Sequence, residues 1–232
     1  MDDIALPLHS GRMSRTEDRS RHLVLWGAGG HGKVVLDAGR SQGSFESIVF
    51  IDDRHRELGS SFMLCSILGG SEALSSLRGC SFLISIGDNT LRARCYSIAV
   101  SQGMVPATLV HPTAIIAPSV RIGQGTVVMP GVIVNAGTII GENCILNTGA
   151  IVEHDCQIAD HVHISPRVVL GGGVCIGAFA HIGIGAVVLP GAAVGEESVV
   201  GAGSVVLREA PAKCTVVGVP AKVLIPASIS AK

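Results

Sequence analysis

What this chain of 232 residues has little of narrows its function before any motif is considered. Lys and Arg number 17 against 18 Asp and Glu, for a formal charge of −1, and the basic residues form no run. A nucleic-acid surface needs clustered cations to neutralise phosphates, so that class is excluded and any phosphate bound belongs to one small ligand. Despite a mean hydropathy of +0.52, no stretch reaches the roughly 20 consecutive apolar residues of a spanning helix. Gly and polar residues interrupt the apolar ones throughout. The seven Cys show no CxxC pair or zinc-finger spacing, and an odd count does not close into a disulfide framework. Reduced thiols in a cytoplasm follow. Residues 1–21 carry charge, Ser and Gly without the apolar core of a signal peptide, and read as a flexible leader.

What remains falls into two halves. Over residues 22–106, short apolar runs alternate with helical patterns, which predicts an α/β domain. Three predicted strands, at 22–26, 47–51 and 81–86, deliver glycine or polar residues at their C-terminal ends: Gly27 to Gly32, Asp52 and Asp53, and Gly87 to Asn89. A helix is predicted from Lys33 to Gly39. Parallel sheets bind ligands outside the carboxyl ends of their strands, where loop amides and helix N-termini converge. Glycines at 27, 29, 30 and 32 let a backbone approach phosphate, though the same residues equally serve a tight strand-to-helix turn.

From Ile116 to Val206 every sixth residue is Ile, Leu or Val. Two positions before each stands a small or compact residue, such as Thr126, Cys144 or Ala186. One position after, Gly or Asn is frequent, as at Gly123, Asn135, Gly177 and Gly195. An unbroken period of six predicts a parallel β-helix of triangular coils, with the aliphatic residues pointing inward and the following Gly or Asn supplying unusual turn angles. Residues eighteen apart then stack about 4.8 Å from one another. His163 shares a column with His181, and Asn135 with Glu153 and Gly171. His154 falls just past Val152, near a corner and pointing outward. The expected division is a leader over 1–21, the α/β domain over 22–106, the β-helix over 107–207 and a capping tail over 208–232.

Several segments carry a family resemblance: 27–33 (Gly-Ala-Gly-Gly-His-Gly-Lys), 51–53 (Ile-Asp-Asp), 86–89 (Ile-Gly-Asp-Asn), His111-Pro112, 147–156 and 218–222 (Gly-Val-Pro-Ala-Lys). With the hexads they resemble the hexapeptide-repeat sugar-nucleotide N-acetyltransferases, which pair a small Rossmann-like domain with a left-handed β-helix. Bacillosamine-pathway and GDP-perosamine acetyltransferases are the nearest likeness, and sialic-acid O-acetyltransferases stand further off. The resemblance implies a nucleotide-linked 4-amino-4,6-dideoxy sugar, on UDP or GDP, held by Gly29, Gly30, His31, Asp52, Asp53 and Gly87. It implies His154 as general base with Asp155 as its carboxylate partner, and acetyl-CoA along His163, Ile184 and Ala202 between the subunits of a homotrimer. No metal is expected.

Three rival readings stand beside this one. Carbonic anhydrases of the gamma class place zinc between β-helices with three histidines, and His154, His161, His163 and His181 invite that comparison. Yet that family lacks the first domain. A non-catalytic nucleotide sensor leaves His154 and Asp155 without a purpose. Sugar O-acetylation is the strongest rival, since the same base serves a hydroxyl. His161 reads as a solvated corner residue, His111 as part of the domain junction, and His181 as support for His163.

Overall fold

The computed structural model describes residues 19–224. Most of the expected leader, and residues 225–232 of the tail, lie outside the described residues. The first domain is a four-stranded parallel sheet with helices. Its elements are β1 (His22–Trp26), α1 (Gly30–Gln42), β2 (Ser47–Ile51), β3 (Ser81–Ile84), α2 (Asn89–Ser101) and β4 (Val105–Pro106), and the strand order is β2-β1-β3-β4. Every residue of β1 is buried, as a strand covered on both faces requires. Leu23 and Leu25 point toward α1 and share a continuous apolar core with the second domain. Val24 and Trp26 face the other way, against Leu74, Phe82 and Ala99.

Helix α1 starts earlier than the sequence predicts. Gly30 already lies in its first turn with Gly29 as N-cap, so half of the glycine run belongs to the helix terminus rather than to a loop. β3 ends at Ile84, two residues short of the predicted strand.

The second domain is a triangular prism of three parallel sheets. Its first face stacks the strands that begin at Leu109, Val127, Ile145, His163, His181, Val199 and Thr215. The second face begins at Ile115 and ends with Val205–Val206, and the third runs from Arg121–Ile122 to Glu209–Ala210. Each strand has two or three residues. The second residue points inward, and from Val128 to Val206 the hexad aliphatics are buried. Partners are eighteen apart, as in Ile145↔His163 and Ile151↔Val169.

Two expectations about the prism need correction. The residue just after each aliphatic does not take the unusual backbone angle. That angle falls two positions further on, at Gly125, Gly131, Gly137, Asn143, Gly149, Asp155, His161, Arg167, Gly173, Phe179 and onward, with φ between 51° and 74° at these corners. Glycine directly after the aliphatic answers a different constraint, the next coil's backbone. A Cβ on Gly123 would stand 2.5 Å from the carbonyl carbon of Gly141, and one on Gly183 2.6 Å from the oxygen of Val200.

The sheets also run past the expected boundary at Leu207. Glu209 pairs with Ala193 and Thr215 with Val199, so the last coil is two residues shorter than the rest. Lys222–Val223 then turns back as an antiparallel strand that closes the first face. Among the described residues no helix is long and apolar enough to cross a membrane.

Candidate active site

The carboxyl ends of β1, β2 and β3 open into a cavity of about 360 Å³. Gly29, Gly30, His31, Asp52, Asp53 and Gly87 all line it, so the six residues expected at the nucleotide site are brought together. Trp26, Ile86, Leu91 and Cys95 supply an apolar wall. Gly29 and Gly30 present open space where a Cβ would stand. Gly27 has φ 119°, and a Cβ there would press on Ile86 and the Ser85 carbonyl.

Asp52 differs from its neighbours because its carboxylate is already occupied. Oδ2 accepts from the Ala28 amide at 2.8 Å, Oδ1 accepts from the Arg54 amide at 2.9 Å, and the Arg54 guanidinium adds an ion pair. Burial works to raise its pKa, but the Arg54 side chain and the two amides outweigh it and hold the carboxyl below the usual range. Asp52 therefore braces the glycine turn against the end of β2. Asp53 accepts from the Ser71 amide with one oxygen.

A column of imidazoles leads from this cavity to the prism. His31 lies 6.3 Å from His163, ring centre to ring centre, and His163 stacks on His181 at 4.7 Å. His163 occupies the outward position of its strand, yet the loop after β3 covers it, and Nδ1 lies 3.3 Å from the Gly87 carbonyl oxygen. Burial, followed by His181, Arg92 and His31, pushes the His163 pKa down to about 3. Burial and Arg92 push that of His31 to about 4. Both rings are neutral at physiological pH. Beyond the loop, the first face opens into a groove of about 540 Å³ lined by His163, His181, Ile184 and Ala202, with Asn147 and Ser165 alongside. The three residues expected to hold acetyl-CoA therefore share one surface. Ile184 is 60 % exposed there.

His154 stands elsewhere. It and Asp155 occupy the edge between the second and third faces, whereas Ile184 and Ala202 lie on the edge between the first and second. His154 Nδ1 is 2.8 Å from Asp155 Oδ2, with both side chains mostly exposed. Directing the Nδ1 proton at the carboxylate leaves Nε2 as acceptor. Asp155 holds the left-handed corner angle, φ 60°, which Asp tolerates better than most residues. On the next coil Gly172 leaves room for the ring, since a Cβ there would lie 2.6 Å from Nε2.

His161 is not the solvated residue expected. Its ring packs 4.8 Å from Phe179 and 6.2 Å from Tyr96, and Nδ1 meets the Asn143 side chain at 3.0 Å. Burial lowers its pKa. Arg92 went unnoticed in the sequence, although the neighbouring segment 86–89 marked its loop. Among the described residues no three His, Cys, Asp or Glu side chains gather into a group suited to a metal ion.

Comparison with known proteins places both halves. Residues 22–99 match the PglD N-terminal domain, and residues 137–172 match the bacterial transferase hexapeptide (six repeats). A mutant of perosamine N-acetyltransferase from Caulobacter crescentus, solved with CoA and GDP-perosamine, is 38% identical. The match covers 88% of this chain and 96% of that one, with a TM-score of 0.83. The acetyltransferase domain of PglB from Neisseria gonorrhoeae, solved with acetyl coenzyme A, is also 38% identical, over 88% and 100% of the two chains, with a TM-score of 0.85. UDP-N-acetylbacillosamine N-acetyltransferase from Bacillus subtilis is 38% identical over 115 residues, 46% of this chain and half the length of that relative.

Proposed function

Since the chain belongs to the hexapeptide-repeat sugar-nucleotide N-acetyltransferases, we propose that it moves an acetyl group from acetyl-CoA to the amino group of a UDP- or GDP-linked 4-amino-4,6-dideoxy sugar. The observation that carries this reading is the spatial division of labour: a glycine-lined cavity at the strand ends, an apolar groove on the prism, and an exposed His-carboxylate pair. In the cavity the unpaired amides at the start of α1, at the positive end of its dipole, suit a diphosphate. Asp53, His31 and Gly87 stand around it. In the groove His163, Ile184 and Ala202 form the surface for the pantetheine arm of the donor.

The acceptor nitrogen attacks the thioester carbonyl directly, so that an N–C bond forms, the C–S bond breaks and coenzyme A leaves as the thiol. His154 Nε2 takes the proton that the amine must lose. Asp155 fixes the tautomer and stabilises the imidazolium while it lasts, as the acid of a Ser-His-Asp triad does. Backbone amides of the corner glycines are suited to the developing oxyanion.

Because His154 and the groove occupy different edges of one prism, the reading requires that a neighbouring copy bring its own His154 to this groove, in a closed ring of three subunits. Unpaired thiols at all seven Cys support a cytoplasmic setting.

The decisive assay follows thiol release from acetyl-CoA with UDP- and GDP-linked 4-amino sugars, and with sialic acid as the hydroxyl acceptor. Turnover with an amino sugar is expected. His154→Ala is expected to cost at least about a hundredfold in kcat with folding intact. Near-normal turnover in that variant removes His154 from its role.

A further inference from the structure

The loop that lines the nucleotide cavity leads directly into α2, and α2 grips the prism through one of its faces. Asn89 Nδ2 donates to the carbonyls of Phe179 at 2.8 Å and Ala180 at 3.1 Å. Arg92 Nε donates to the carbonyl of Asn143 at 2.9 Å, and Nη2 donates to that of His161 at 2.7 Å and to Asn89 Oδ1 at 2.8 Å. Tyr96 donates to Glu142 Oε2 at 3.3 Å. Positions 89, 92 and 96 share a helix face. Asn143, His161 and Phe179 share one prism edge at intervals of one coil, and all three hold the left-handed corner angle, with φ of 51°, 61° and 59°.

The two repeats match. Three helical residues climb about 4.5 Å, and one coil climbs about 4.8 Å. As α2 proceeds from Asn89 to Tyr96 it therefore descends the edge rung by rung.

Arg92 does more than join two surfaces. Its Nη1 donates to the Gly87 carbonyl at 3.2 Å and the Ile86 carbonyl at 3.4 Å. Gly87 lines the nucleotide cavity, and its carbonyl is the partner of His163. One guanidinium thus ties the cavity's loop to the corner that precedes His163. It is 1 % exposed, and among the described residues no carboxylate lies within ion-pair distance of it, so its direct partners are oxygen dipoles, with the Asp88 carboxylate acting from further off. Burying an unpaired cation is a poor way to stabilise a fold, because apolar residues of similar volume do as well or better. What the planar fork supplies is fixed direction toward several acceptors.

We propose that Arg92 is a positioning residue for the acetyl transfer: through Gly87 and the edge carbonyls it sets the distance between the nucleotide-sugar cavity and the acyl-donor groove. The proposal rests on the acetyltransferase reading above. Arg92 lines neither cavity, and of the nucleotide cavity's lining it holds only the Ile86 and Gly87 carbonyls, so the glycine turn, Asp52, Asp53 and the whole of the donor groove keep their binding surfaces when Arg92 is changed. What is lost is their mutual register, and a misplacement of about 1 Å costs on the order of a hundredfold in rate.

The test uses full-length Arg92→Met and Arg92→Lys, assayed with acetyl-CoA and whichever nucleotide-linked amino sugar the wild type accepts. In Arg92→Met, kcat is expected to fall between about tenfold and a hundredfold while KM for both substrates stays within about threefold. Arg92→Lys is expected to regain thermal stability without regaining kcat, a split that a purely structural role would not produce. Wild-type kcat in either folded variant overturns the proposal, and so does a rise in KM with kcat intact. Should both variants fail to fold, Asn89→Ala, which removes only one rung, decides: a several-fold loss confined to kcat upholds the proposal, and unchanged kcat overturns it. A wild-type protein inactive toward every amino sugar would overturn the acetyltransferase reading and this proposal together, whereas an active wild type with indifferent variants overturns this proposal alone.

Discussion

At the scale of single residues, burial decides what each histidine can do. His31 and His163 are held neutral, with folded-state pKa values of about 4 and about 3 against the ordinary 6.5. Between pH 6.5 and about 4 the unfolded chain therefore carries protons that the folded chain refuses, so stability falls as pH is lowered through that window. Replacing His163 with Gln should make this fall shallower by up to about 1.4 kcal/mol per pH unit. Urea unfolding of both proteins across pH 7 to 4.5 measures it, and parallel pH dependences would rule the account out. His154, on its exposed corner, was legible because the motif around it is local in sequence. His161 was not, since its burial comes from Tyr96 and Phe179, one on α2 and the other a coil away. Arg92 was illegible for the same reason: nothing in a single helix reveals that its partners are carbonyls 51 and 69 residues distant.

At the scale of elements, the hexad period disclosed the prism, its strands and their stacking, because inward aliphatics recur at an interval that no helix or flat sheet produces. The roles of glycine within the hexad are not legible in the sequence, since composition shows where glycine stands without showing whether φ or crowding requires it. The two kinds separate experimentally. At Gly177 a Cβ meets the backbone of Gly195 and Glu196, with Gly195 C at 2.8 Å, and Gly177→Ala should cost about 1–3 kcal/mol or more. Gly173 has φ 69° and open space around it, and Asn143 holds the same corner position five hexads earlier. Gly173→Asn should stay within about 0.5 kcal/mol of wild type. Denaturant midpoints of the two variants compare them, and equal losses would show that crowding and turn angle had been wrongly separated.

At the scale of the whole molecule, the separation of His154 from the groove makes a prediction about assembly. Inactive His154→Ala protein, mixed and reassembled with inactive Ile184→Arg protein, should recover up to about a quarter of the wild-type sites if base and groove meet across subunits of a closed ring. No recovery in verified mixed oligomers would place both on one chain. The ends of the prism carry a separate consequence. Stacked parallel strands are a template for further stacking, yet here the first rung, Leu109–Val110, lies under α1, with Leu109 3.5 Å from where a Cβ on Gly39 would stand. The last rung is met by a strand of opposite direction whose own edge carries Lys222. On this face neither extremity offers a free parallel rung for a second molecule to extend, so end-to-end growth through it is blocked and association between copies is left to the flanks of the prism.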